Sequence, residues 1–244
     1  MQGTTPKIRF IIVLVSFVLF PVTLFYMSPV FLFLGAKHGI INFNLLLFSG
    51  QFVLSIFFGR IFCGWICPGS GIATMCLTAN KKLVNRRFFW IKYIVWIPWI
   101  VSIVIVLIHS HKQIVINPFY GMQNPVSIFN RGGLMVYFLF VGIMMLLSLV
   151  VGKHSFCHHV CWMAPFMIAG IKLGRLFRIS RLELYFNHTN CNLCGACSNK
   201  CPMSINIPEA AKSNNIILDS DCTLCAECVN ACNKSVISIK YLKK

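Results

Sequence analysis

The sequence predicts an all-α membrane domain of four transmembrane helices, residues 1–181, joined to a small C-terminal α+β domain, residues 182–244. Three observations carry this. Of the 244 residues, 57% are hydrophobic and 11% charged, with a mean hydropathy of +0.77, whereas soluble domains sit nearer 45–50% apolar and about 25% charged. Four apolar stretches approach the ~20 residues that a helix rising about 1.5 Å per residue needs to cross a bilayer. Eight of the 13 cysteines fall in the last 54 residues, and all five acids lie after residue 182.

The first apolar stretch runs from about Phe10 to Leu34, with Pro21 and Pro29 inside it, and is too long for the core of a signal peptide. The second, about Ile40–Phe58, contains Asn42, Asn44 and Gln51; the third, about Trp90–Ile108, contains Pro98; the fourth is about Leu134–Val151. Transmembrane helices tolerate proline, so the prolines are expected to kink these helices without ending them.

Basic residues near the ends of the spans set their orientation. Lys7, Arg9, Arg60, Lys81, Lys82, Arg86, Arg87, Lys92, Lys153, Lys172, Arg175, Arg178 and Arg181 gather on one side, against Lys37, Lys112 and Arg131 on the other. Both termini are therefore expected in the cytoplasm of a prokaryote, with the protein in its inner membrane. The net charge of +17 reads as this topology signal and as contact with lipid headgroups, not as a nucleic-acid surface. With no carboxylate before Glu183, paired-carboxylate catalysis and Asp/Glu metal sites are excluded from the membrane domain. Disorder is excluded by the apolar and aromatic content.

The tail reads Cys191-x2-Cys194-x2-Cys197-x3-Cys201-Pro202, and the spacing recurs as Cys222, Cys225, Cys228 and Cys232. This is the bacterial two-cluster ferredoxin signature, in which the fourth cysteine of each set serves the other cluster. Cys191, Cys194, Cys197 and Cys232 are expected to hold one [4Fe–4S] cluster, and Cys222, Cys225, Cys228 and Cys201 the other. Structural zinc leaves half of these cysteines unexplained, and a disulfide framework conflicts with a reducing cytoplasm. Asn233 stands where a proline usually follows the second set. Ile205, Ile207, Ile216, Ile217, Val236, Ile237 and Ile239 are candidates to pack around the clusters.

The membrane domain contains an internal repeat. Gly59-Arg60-Ile-Phe62-Cys63-Gly64-Trp65-Ile66-Cys67-Pro68 ends the second span, and Gly152-Lys153-His154-Ser-Phe156-Cys157-His158-His159-Val160-Cys161-Trp162 ends the fourth. A duplicated two-span hairpin places the two motifs around a pseudo-two-fold axis along the membrane normal, and on a helix cysteines at i and i+4 share a face. Cys63, Cys67, Cys157 and Cys161 are thus candidates to converge on one redox or metal centre. Three natures stay open: a further iron–sulfur site, a mononuclear iron, or a dithiol relay. Singly, buried cysteines are usually small hydrophobes, and Cys76 is read that way. His158 and His159 are candidate ligands, although a basic interfacial turn is ordinarily solvated. His109 and His111 are weaker candidates for haem or quinone, and the outer loop of about Ser110–Gly133 for capping a site. The basic stretches Gly69–Lys82 and Phe166–Arg181 are expected to lie in the headgroup plane and hold the tail against the membrane.

Taken together, these residues resemble the NapH/MauN-type membrane ferredoxins, which include the membrane quinol dehydrogenase component of periplasmic nitrate reductase systems. The resemblance rests on Gly-Arg-x-x-Cys-Gly-Trp-x-Cys-Pro at 59–68, the second C-x3-C at 157–161, the four spans and the two-cluster tail. Trp162 departs from it, standing where the family often has proline. The resemblance implies electron transfer. The expected function is transfer between the quinone pool and a redox partner protein through two [4Fe–4S] clusters, with the membrane cysteines as a further site. An accessory reductase acting in assembly of a respiratory enzyme is the alternative, and a redox or metal sensor the third.

Overall fold

The computed structural model describes residues 5–109, 115–121, 126–211 and 215–242. Helices α1 (Thr5–Val18), α2 (Phe20–Thr23) and α3 (Pro29–His38) come first, with a 3₁₀ turn at Phe25–Met27 between the last two. A two-residue strand β1 (Ile40–Ile41) leads to α4 (Phe43–Phe58), α5 (Ile61–Trp65) and α6 (Pro68–Cys76). Helix α7 (Ile91–His109), strand β2 (Val115–Ile116) and helices α8 (Arg131–Val150), α9 (Ser155–His159) and α10 (Met163–Leu176) follow. The tail holds β3 (Arg181–Phe186), α11 (Ala196–Lys200), α12 (Ile207–Ala210), α13 (Glu227–Asn230) and β4 (Ile237–Leu242). Strand β3 pairs antiparallel with β4, Arg181 opposite Leu242, and β1 pairs parallel with β2.

Two helical segments, Arg86–His109 and Arg131–Val150, are long and apolar enough to cross a membrane. Pro98 sits within the first of these without ending it, as expected. The first apolar stretch differs: α1 ends at Val18, helix resumes for four residues as α2 with Pro21 in its first turn, and after the 3₁₀ turn the chain is extended at Ser28 before α3 begins at Pro29. A proline lacks the amide hydrogen and disfavours helix in the residue before it. The break frees backbone carbonyls, and side chains from other helices donate to them. Trp162 Nε1 reaches the freed Met27 carbonyl at 2.8 Å, while Asn44 Nδ2 and Trp99 Nε1 reach, at 3.1 Å each, the carbonyls of Ser28 and Pro29 at the start of α3. Apolar surroundings make an unsatisfied carbonyl costly, so these donors make the break tolerable.

The basic stretches after the C-x3-C motifs do not lie flat outside the helices. Helix α6 is buried along most of its length and packs between α1 and α8, while α10 packs on α4. Each half's second helix therefore rests on the long helix of the other half. Small residues make this possible. A Cβ at Gly69 would stand 2.6 Å from Met144 Cε of α8, and one at Gly174 2.9 Å from the Ile56 carbonyl of α4.

The tail has its own core of Leu184, Phe186, Met203, Ile205, Ile207, Ile217, Val236 and Ile237. Ile239 packs on its edge, and Ile216 sits outside it, bridged to Tyr185. Four ends of the helical domain meet this tail: the start of α1 through Arg9, the end of α4 through Arg60, the start of α7 through Lys92 and the end of α8 through Lys153.

Gly174→Val is expected to force α10 away from α4 and lower stability by about 1–3 kcal/mol. Gly142→Val, where a Cβ meets nothing within 4 Å, is expected to leave it unchanged. Thermal unfolding of the detergent-solubilised protein checks both.

Candidate functional site

The two cysteine sets of the tail share one backbone design. Leu193 and Gly195 have φ of 55° and 74°; their counterparts Leu224 and Ala226 have 50° and 62°, and Ser204 and Ser235 have 53° and 52°. The residue after each set's second cysteine, Gly195 or Ala226, begins a short helix. It accepts the amide of Asn199 or Asn230, each at 3.0 Å. The left-handed residues turn the chain back on itself, so that successive cysteines face one side.

Two cavities result. One is lined by Cys222, Cys225, Cys228 and Cys201, with Met203 and Ile205 among its apolar walls. The other is lined by Cys191, Cys194, Cys197 and Cys232, with Phe186 and Val236. The structure thus gathers the cysteines in two crossed groups of three plus one. The donor chemistry fits iron–sulfur clusters. The Leu193 amide donates to Cys191 Sγ at 3.4 Å, the Leu224 amide favours the Cys222 thiolate, and those of Met203 and Ile205 favour that of Cys201. Burial nonetheless pushes the Cys201 thiol up to about 11, so a bound metal is what holds such a thiol as thiolate at neutral pH.

The cysteines of the two C-x3-C motifs are repeated in detail as well. In α5 and its exit, the amides of Ile66 and Cys67 both reach the Phe62 carbonyl at 2.9 Å; in α9 and its exit, those of Val160 and Cys161 reach the Phe156 carbonyl at 3.0 Å. Neither C-x3-C pair lies on one continuous helix, contrary to expectation. Cys67 stands at the junction before α6 and Cys161 just before α10. Cys63, Cys67, Cys157 and Cys161 all lie within electrostatic reach of one another. Cys67, Cys157 and Cys161 line a common cavity with Met144, Met163 and Trp162, while Cys63 Sγ contacts Met167 Sδ at 3.4 Å. Among the described residues no three His, Cys, Asp or Glu side chains are grouped to hold a single metal ion.

Ion pairs fasten the tail's second cysteine loop to this region. Arg60, 1% exposed, donates to Asp221 Oδ1 at 2.9 Å, and Lys92, 2% exposed, donates to the same oxygen at 2.7 Å. Arg9 joins Glu227 at 2.7 Å and the Gly64 carbonyl at 2.8 Å. Trp65 Nε1 donates to the Leu224 carbonyl at 3.1 Å, and Thr223 sits against Gly64 too closely for any Cβ there. Burial raises the Asp221 carboxyl, but Arg60 and Lys92 outweigh it and hold that group below the usual carboxylate range. Arg60 also lies in the field of Cys63, Cys161 and Cys157.

The sequence reading assigned Arg9, Arg60, Lys92 and Lys153 to topology and headgroups; in the structure all four are buried and bonded to the tail. The available signal was the segregation of every acid downstream of α10, together with Arg60 inside the first motif. His158 is another correction. It is fully buried, stacked on Phe89 with ring centroids 4.0 Å apart, and not solvated. His159 bonds the Ser155 carbonyl at 2.9 Å, and His109 bonds Ile105 of its own helix at 3.0 Å. His111 and part of the outer loop lie outside the described residues. Cys76 sits in an apolar core with Phe20 and Ile72, as expected.

Asp221→Asn is expected to cost about 3–5 kcal/mol, because it leaves two buried cations unpaired. Arg86→Ala, which removes the half-exposed partner of Asp219, is expected to cost about 0–1 kcal/mol. Protease susceptibility of the tail distinguishes them. Since the Asp221 carboxyl is depressed, its stabilisation is complete above about pH 5 and lost as pH falls below about 4.

A model described as a 4Fe–4S dicluster domain matches residues 190–237, and one described as a 4Fe–4S binding domain matches residues 43–69 and 133–179, the segments that contain the two C-x3-C motifs. The chain therefore carries 4Fe–4S ferredoxin-type domains. It is distantly similar to the methylamine utilization ferredoxin-type protein MauN of Methylorubrum extorquens, 27% identical over 67% of this chain and 55% of the relative. The MauN of Paracoccus denitrificans is 26% identical over 70% and 60%. YccM of Escherichia coli, which carries an electron-transport name, is 23% identical over 66% and 46%. The chain spans about half to three fifths of the length of these relatives. No solved structure matches it.

Proposed function

We propose that this protein is a membrane-bound iron–sulfur electron carrier of the NapH/MauN type, which links the quinone pool to a redox partner protein. The observation that carries this reading is the crossed grouping of the tail cysteines around two apolar-walled cavities. Cys191, Cys194, Cys197 and Cys232 hold one [4Fe–4S] cluster, and Cys222, Cys225, Cys228 and Cys201 the other. Bound clusters supply one-electron transfer. The protein's own residues position them, exclude water through Met203, Ile205 and Phe186, and direct amide hydrogens at the sulfurs.

Cys63, Cys67, Cys157 and Cys161 hold a third iron–sulfur centre. Their convergence supports this, as does the match of a 4Fe–4S model to both motifs. The membrane domain comprises the four apolar segments, with α7 and α8 as full-length spans. Both termini and the tail lie on the cytoplasmic side of a prokaryotic inner membrane, because alternate segments present opposite ends to the same tail. Quinol reaches the helices from the bilayer. A cavity of about 760 Å³ between α3, α4, α7 and α10, walled by Phe48, Trp96 and Phe166, supports this step, since Phe166 packs in one cluster with Cys161 and Trp162.

Iron and acid-labile sulfide on the anaerobically purified protein test the reading. Three cubes give about twelve of each per chain, and Cys63→Ser then lowers both to about eight. About eight in the unsubstituted protein confines the clusters to the tail, and fewer than about four overturns the proposal.

A further inference from the structure

The two cysteine loops of the tail share a backbone but meet different surroundings. Leu224 and Cys225 are 5% and 8% exposed, covered by α5 and its neighbours. Leu193, the counterpart of Leu224, is 72% exposed; Cys194 is exposed too, and a Cβ on Gly195 would meet nothing within 4 Å. One cluster site is therefore enclosed by the helical domain while the other is bare at its tip. A large apolar side chain held outward at a rigid turn costs free energy in water and suits a contact.

Docking also sets the charge of the bare side. Glu183 is buried with Arg181, and Asp219, Asp221 and Glu227 are spent on Arg86, Arg60, Lys92 and Arg9. No acid occurs between Glu183 and Glu209. Lys234 is exposed and stands on the wall of the site formed by Cys191, Cys194, Cys197 and Cys232. Four of the tail's five carboxylates thus face cations, while the fifth, Glu209, is exposed on α12 and accepts from Asn206 Nδ2 at 2.8 Å; the bare loop itself carries no carboxylate, with exposed Leu193 at its tip and Lys234 on its rim.

We propose that the loop Cys191–Cys197, with Leu193 at its tip and Lys234 on its rim, is the docking face for an acidic soluble one-electron carrier protein. Electrons then pass in the order quinol, membrane cysteines, enclosed site, bare site, carrier. This rests on the cluster assignment above. In each encounter one electron leaves the reduced bare site, which is oxidised, and reduces the carrier's oxidised centre; no bond forms or breaks in this step and no proton moves. Complementary charge speeds and orients such encounters, and buried apolar tips hold them.

The test uses the full chain in detergent and an acidic soluble [2Fe–2S] ferredoxin as probe, with binding measured by surface plasmon resonance. Leu193→Ser and Lys234→Glu are each expected to weaken binding by about tenfold or more. Added salt is expected to weaken it as well, and Lys172→Glu, an exposed lysine on α10, to leave it unchanged. Binding that is absent in the unsubstituted protein, or equally affected by Lys172→Glu, overturns the docking face. Iron content is measured on every variant. Unchanged iron in Leu193→Ser and Lys234→Glu confines any failure to docking, whereas absent iron in the unsubstituted protein overturns the cluster assignment and the proposal with it.

Discussion

Asp221 is the side chain on which the arrangement of the two domains turns. It precedes Cys222 directly, and a single oxygen of its carboxylate accepts from a guanidinium at the end of one long helix and from an ammonium at the start of another. Neither cation has solvent to fall back on. Burying one charge among apolar helices is costly, and two positive charges without a counterion are worse; the carboxylate makes both tolerable. Satisfying Arg60 and Lys92 therefore requires the second cysteine loop to sit in one place, against α5. Arg9 and Glu227 repeat the logic a few ångströms along the same loop. The enclosed cysteine site and the membrane cysteines are neighbours because electrostatics permits few other solutions.

Two pairs of matching motifs, the cysteine loops of the tail and the C-x3-C turns between the helices, are laid against each other. In the tail the repeated loop crosses its fourth cysteine to the opposite site; in the helices the repeated half crosses α6 onto α8 and α10 onto α4. Crossing has the same effect at both scales. No half can keep its site or its core without the other, so partial folding gains little, and cooperativity follows from the connectivity.

Much of this was legible in the sequence, for identifiable reasons. The C-x2-C-x2-C-x3-C spacing occurs twice, so the crossed grouping of the eight tail cysteines around two cavities could be expected from it. The C-x3-C motifs were legible as a pair because a repeat is visible without structure, but their helical geometry was not, since each spans a junction between two helices. Hydropathy sums side chains and does not register backbone donors, so it could not separate the proline kink at Pro98 from the true break between Val18 and Pro29. Positive charge at helix ends looks the same whether lipid or protein receives it, and only the three-dimensional placement of Asp221 and Glu227 separates the two. His158 was misjudged because Phe89, the ring that covers it, is far away in sequence.

The broken first segment has a consequence for the symmetry of the helical domain. Its freed Met27 carbonyl takes its hydrogen from the indole of Trp162, the residue that replaces the proline found at Pro68 in the first copy. Proline has no hydrogen to give, so the two copies of the motif are not interchangeable: the second must carry a donor because the first segment is broken beside it. A chimaera with the first copy's sequence in both places would keep all four cysteines and still leave a carbonyl stranded in an apolar interior. The duplication has become a division of labour, in which one copy of the motif also splints the break in the first segment.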